Sequence, residues 1–116
     1  MNSPLLKESF TLAALSVRLS RKTMNKDFGI LAKQLIRSGT SVGANIKEAQ
    51  NAQSGRDFVH KLKIAAKELD ETEYWLFLIK VVCNNEIGVS KEIEQMTTVR
   101  KILTRSIWTA MNQTKS

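Results

Sequence analysis

Between residues 28 and 83, small and apolar side chains recur every three and then every four positions. One series runs Phe28, Leu31, Leu35, Ser38, Val42, Asn45, Ala49 and Ala52, and a second runs Phe58, Leu62, Ala65, Leu69, Thr72, Leu76, Ile79 and Cys83. A 3-4 spacing keeps one stripe of a helix turned toward a partner helix, whereas a strand would alternate every two residues. The short Ser54-Gly55 turn between the two series predicts an antiparallel helical hairpin packed like a coiled coil.

The flanking segments carry the same period. Ser3-Pro4 is a helix start, with Ser as N-cap and Pro at the first helical position. The following helix places Leu6, Phe10, Ala13 and Val17 along one seam, with Leu5, Leu12 and Leu19 on a neighbouring stripe. A face that wide exceeds what a four-helix core requires and hints at self-association, although a wide core-facing stripe accounts for it almost as well. Thr23 to Lys26 reads as a polar connection, with Asp27 near the positive end of the next helix. Ser38, Gly39, Thr40, Ser41 and Gly43 are poor helix formers, yet the seam keeps its phase from Leu35 to Val42. This predicts one unbroken helix whose small residues let a neighbouring backbone approach closely, on one side inside the bundle and on another against a second subunit. Ser54 with Asp57 forms a capping-box pattern, Asn84-Asn85 stops the third helix, and Ser90 caps the fourth. Ile93, Met96, Leu103, Ile107 and Ala110 face inward on that last helix, and the tail from Asn112 to Ser116 is expected to fray. Helices at about 4–22, 27–52, 55–83 and 91–111, joined by short turns, make a single all-α domain, an antiparallel up-down-up-down four-helix bundle.

Composition narrows the class. The chain has 116 residues, 42% of them hydrophobic and 25% charged, which suits one globular domain. It has no apolar run long enough to span a membrane, and its N-terminus does not read as a signal peptide. The lone Cys83 cannot form an internal disulfide and sits on the seam as a small buried residue, so a cytoplasmic location is expected.

Charge adds the most. The formal net charge is +7, and it is unevenly spread. Lys7, Arg18, Arg21, Lys22 and Lys26 face only Glu8 in the first segment, and Arg100, Lys101, Arg105 and Lys115 follow Glu94 with no acid among them. Such an excess favours a polyanion: RNA, DNA or an acidic protein. A merely solvated surface is the plainer alternative. The candidate nucleic-acid-binding residues are Arg18, Arg21, Lys22, Lys26, Arg100, Lys101 and Arg105, with Arg56, Lys61 and Lys63 secondary.

Motifs for chemistry are sparse. The one histidine, His60, lies off the seam, and no Cys-x-x-Cys or phosphate-loop pattern occurs. Gly39 to Gly43 is flanked by helical phase rather than by a strand, which argues against phosphate binding. Glu68, Asp70, Glu71 and Glu73 cluster in sequence but point in different directions on a helix, with no nucleophile beside them. No catalytic residue, metal or cofactor is assigned. Arg37, Asn45, Glu48 and Glu71 are expected to form a structural polar cluster near the seam, since a buried Asn fixes register and a buried Arg needs a carboxylate. Aromatic and basic residues interleave at Tyr74, Trp75, Phe77 and Lys80, and again at Arg105 and Trp108. That pattern fits stacking platforms for single strands, packing against the bundle, or Trp anchors of a subunit interface.

From Arg37-Ser-Gly-Thr-Ser-Val-Gly-Ala-Asn-Ile-Lys-Glu-Ala49, through Ser54-Gly-Arg-Asp-Phe58, to Ile64-Ala-Ala-Lys-Glu-Leu-Asp-Glu71, the chain resembles a known family. These are the bacterial four-helix-bundle proteins named after intervening sequences in 23S ribosomal RNA genes. The likeness covers most of residues 28 to 80, and Ala49 stands where many members have Gly. The resemblance implies a four-helix bundle, a ring-shaped homo-oligomer (usually a pentamer) and a strongly basic surface. It extends to the accessory protein of diversity-generating retroelements, which partners a reverse transcriptase and binds nucleic acid. Arg37, Asn45, Glu48 and Glu71 match motif positions, and the resemblance implies structural roles for them.

Overall fold

A computed structural model describes residues 3–84 and 86–114. Within them the chain forms α1 (Pro4–Asn25), α2 (Gly29–Ala49), α3 (Gly55–Val82) and α4 (Ser90–Thr114), a four-helix bundle in which each helix packs on its neighbour and α4 returns to α1. Two starts are capped by side chains. The Ser3 hydroxyl accepts from the Leu6 amide, and that of Ser54 accepts from the Asp57 amide at 3.1 Å. Asp57 reaches back to the Gln53 amide, which completes the reciprocal pattern one residue early. Asp27 and Asn84 adopt left-handed backbone, φ 69° and 49°. Both residue types tolerate that region and make the turns after α1 and α3. Asn85, Lys115 and Ser116 lie outside the described residues.

α2 and α3 pack as the spacing predicts. Leu35, Ser38, Val42, Ala49, Leu62, Ala65, Leu69, Thr72, Leu76, Ile79 and Cys83 are buried, and α2 is continuous through Ser38–Gly43. The helix ends differ from expectation. α1 continues through Thr23, whose hydroxyl donates to the Leu19 carbonyl, and α4 remains helical to Thr114 instead of fraying at Asn112.

α1 is rotated relative to its expected phase. Leu5, Leu12 and Leu19 point inward together with Ser9, Ser16, Ser20 and Thr23, while Phe10 is 57% and Val17 40% exposed. The hydroxyl residues belong to the core because each closes a hydrogen bond onto its own helix. Ser9 donates to Leu6 O, Ser16 to Leu12 O and Ser20 to Ser16 O. A hydroxyl satisfied by the carbonyl one turn back can be buried without an orphaned polar group.

Small residues on α1 meet small residues on α2. A Cβ added to Gly39 would lie 2.3 Å from Ser16 Oγ, and the Ser20 hydroxyl also reaches Ala32 O on α2 at 3.1 Å. The close neighbour anticipated for the Ser38–Gly43 stretch is therefore α1.

Register between α1 and α4 is uneven. Gln95 Nε2 donates to Glu8 O at 2.9 Å and to the Glu8 carboxylate at 3.1 Å. α1 begins just beyond that contact at Pro4, whereas α4 continues to Thr114. At about 1.5 Å per residue, the C-terminal part of α4 overshoots the start of α1 by about 20 Å.

Candidate nucleic-acid interface

The cations of interest project from helices whose inner faces are fixed by the leucine seam, so most of them stand in solvent. Arg18, Arg21 and Lys22 are exposed on α1, Lys101 and Arg105 on α4, and Arg56 and Lys63 on α3. None of these seven has a carboxylate partner among the described residues. Lys26 lies 3.8 Å from Glu86 and Lys61 3.9 Å from Glu48, long contacts of low strength at a surface.

Arg100 is differently placed from the role expected of it. Its guanidinium turns toward α3, 2.7 Å from Asp70 and 3.7 Å from Glu73, and its Nη2 lies against the Met96 sulfur. It ties α3 to α4 instead of standing free for a phosphate.

Antiparallel packing separates the two basic segments. Arg18, Arg21 and Lys22 lie toward the α1–α2 turn, the end at which Lys26 meets Glu86. Lys101 and Arg105 lie on the other side of the Glu8–Gln95 contact, at the end that holds the start of α3 with Arg56 and Lys63. Helical rise places the two groups about 30 Å apart along the bundle. The unpaired cations of the first and last helices therefore lie at two ends of the bundle.

The expected polar cluster is only partly assembled. Arg37 of α2 meets Glu71 of α3, and its Nη1 is 3.3 Å from the Glu68 carboxylate. Asn45 stays on its own helix, its Nδ2 donating to Ser41 O at 2.8 Å, and Glu48 faces Lys61. Glu68 completes the Arg37 cluster. Its sequence signal is its position three residues before Glu71 on one helical face. The polar pair inside the α2–α3 seam is Ser38 with Thr72, hydroxyls 3.0 Å apart and both fully buried.

Among the described residues there is no group of three or more His, Cys, Asp or Glu that could hold a metal ion. Burial pushes the Cys83 thiol above its ordinary pKa, and the Glu86 carboxylate adds to this, so the reactive thiolate is disfavoured. His60 is exposed. No described helix is long and apolar enough to cross a membrane.

Besides Ile30 at the start of α2 and Val82 at the end of α3, the exposed large apolar side chains form three groups. Phe10, Val17 and Met24 line the outer face of α1, and Phe10 also borders a groove shared with Leu6, Ala13, Gly43, Ala44 and Lys47. Tyr74, Phe77 and Val81 line the outer face of α3, Tyr74 edge-on to the half-buried Trp75 with ring centroids 5.0 Å apart. Trp108 stands on α4, 68% exposed, beside Lys101 and Arg105.

Residues 2–105 match the 23S rRNA-intervening sequence protein family. A crystal structure of a protein of unknown function from the S23 ribosomal protein family of Bacteroides thetaiotaomicron is similar in fold. It is 38% identical in sequence with a TM-score of 0.80, over 89% of this chain and 97% of that one. No curated protein matches the chain. With four helices in the same arrangement and a match over nearly its whole length, the chain belongs to the 23S rRNA-intervening sequence protein family.

Proposed function

We propose that this protein is a non-enzymatic, homo-oligomeric helical bundle that binds RNA or DNA through its basic ends. The observation that supports this most is the fate of its carboxylates. Glu68, Glu71, Asp70 and Glu73 are drawn into ties between helices, and Asp57 is spent on a helix cap. Arg18, Arg21, Lys22, Lys101 and Arg105 are left with no carboxylate partner among the described residues. Unpaired cations on a rigid frame attract a polyanion without selecting its sequence.

Self-association is supported by the outer face of α1, where Phe10, Val17 and Met24 form an apolar line beside the groove at Gly43. A second copy covering such a line would remove it from water. A second reading, a scaffold that docks an acidic enzyme such as a reverse transcriptase, is favoured by the separate apolar face at Tyr74, Phe77 and Val81.

Fluorescence anisotropy with random-sequence RNA and DNA at about 0.15 M salt separates the two. Measurable binding to either polymer is expected. Undetectable binding, with an acidic protein co-purifying instead, would favour the scaffold.

A further inference from the structure

Three observations meet on the overhanging part of α4. Lys101, Arg105 and Trp108 follow one another at helical spacing on the same face, and with Thr97, Arg100 and Thr104 they line a shallow groove of about 630 Å³. Trp108 is two-thirds exposed, and the other residues lining the groove are threonines and cations. Asp70 and Glu73 on α3 are held by Arg100, and Lys101 and Arg105 have no carboxylate partner among the described residues.

A second copy of the chain is a poor occupant. A two-fold contact on this face would set Lys101 and Arg105 against their own counterparts, and like charges brought together oppose association. A head-to-tail contact would need an acidic patch, and the densest group of carboxylates, on α3, is tied to Arg37 and Arg100.

We propose that the Lys101–Arg105–Trp108 face of α4 is a stacking site for unpaired nucleobases, so that this end of the bundle prefers single-stranded nucleic acid to duplex. The inference rests on the nucleic-acid reading above and adds a substrate class to it. An exposed indole offers a flat π-face to any base that is not already stacked, and cations one turn away take the flanking phosphates. Duplex bases have their faces occupied, so a duplex gains only the electrostatic part. Trp108 lies beyond the residues 2–105 matched by the family, so the family match does not account for it.

The test compares oligo-uridine and oligo-deoxythymidine with duplexes of equal length, followed by the fluorescence of the exposed indole and by anisotropy. The single strands should quench Trp108 and bind more tightly than the duplexes. Trp108→Ala should weaken single-strand binding about tenfold, leave duplex binding and the salt slope unchanged, and be largely rescued by Trp108→Phe. Circular dichroism of the variants checks that the bundle is intact. If Trp108→Ala binds both strands like the parent, stacking is overturned while the basic-surface reading stands. If neither polymer binds the parent, both fall. If polyglutamate displaces the single strand as effectively as unlabelled oligo-uridine, the site recognises charge alone and the inference is overturned.

Discussion

Gly39 carries more of the fold than its size suggests. The Ser16 side chain stands where its Cβ would be, while at Gly43 the nearest atom to an added Cβ is 3.4 Å away, an ordinary separation. Gly39→Ala should therefore lower stability by about 1–2 kcal/mol, overpacking outweighing the ~1 kcal/mol gain in helix propensity. Gly43→Ala should be neutral or stabilising. Urea denaturation of the two variants decides it, and equal stability would mean that α1 and α2 pack less closely than described. The serines opposite escape a hydropathy reading for a physical reason. Such a pattern scores Ser9, Ser16 and Ser20 as polar, whereas their hydroxyls bond their own helix and leave a small, satisfied surface for close packing.

At the level of helices, the α2–α3 hairpin is legible because its seam repeats through eight positions in each arm and faces a partner adjacent in sequence. The phase of α1 is not, because two apolar stripes compete there and the deciding contact is with glycine and serine. The register of α4 against α1 has no sequence signal, since the two helices are far apart in the chain and meet through the Gln95–Glu8 bridge. Of the polar cluster, the Arg37–Glu71 pair is legible as a cation opposite an acid. The place of Asn45 is not, because its amide finds the Ser41 carbonyl on its own helix instead of crossing the seam. Register is held instead by the Ser38–Thr72 hydroxyl pair. Thr72→Val should cost about 1–2 kcal/mol by stranding the Ser38 hydroxyl, and Ser38→Ala less, because the Thr72 hydroxyl keeps the Glu68 carbonyl at 2.8 Å. The double variant should cost less than the sum of the two, giving a coupling of about 0.5–1 kcal/mol. Strict additivity in thermal or chemical unfolding would show that the hydroxyls do not depend on each other.

For the whole molecule, the arrangement of charge links fold to function. Carboxylates concentrated on α3 tie helices together, and Arg18, Arg21 and Lys22 at one end and Lys101 and Arg105 at the other, about 30 Å apart by helical rise, have no carboxylate partner among the described residues. A nucleic acid could engage either end independently, and a subunit ring built on the outer face of α1 would multiply such attachments. The most direct measurement is the affinity of the protein for a single-stranded oligonucleotide across a salt series, alongside an Arg18→Ala, Arg21→Ala, Lys22→Ala triple variant. The logarithm of the association constant should fall linearly with the logarithm of salt concentration. The variant's line should be shallower by about 2, because each cation removed leaves one phosphate with its counterions in place. Two superimposable lines, or affinity indifferent to salt, would contradict the assignment of phosphate binding to the unpaired cations of α1.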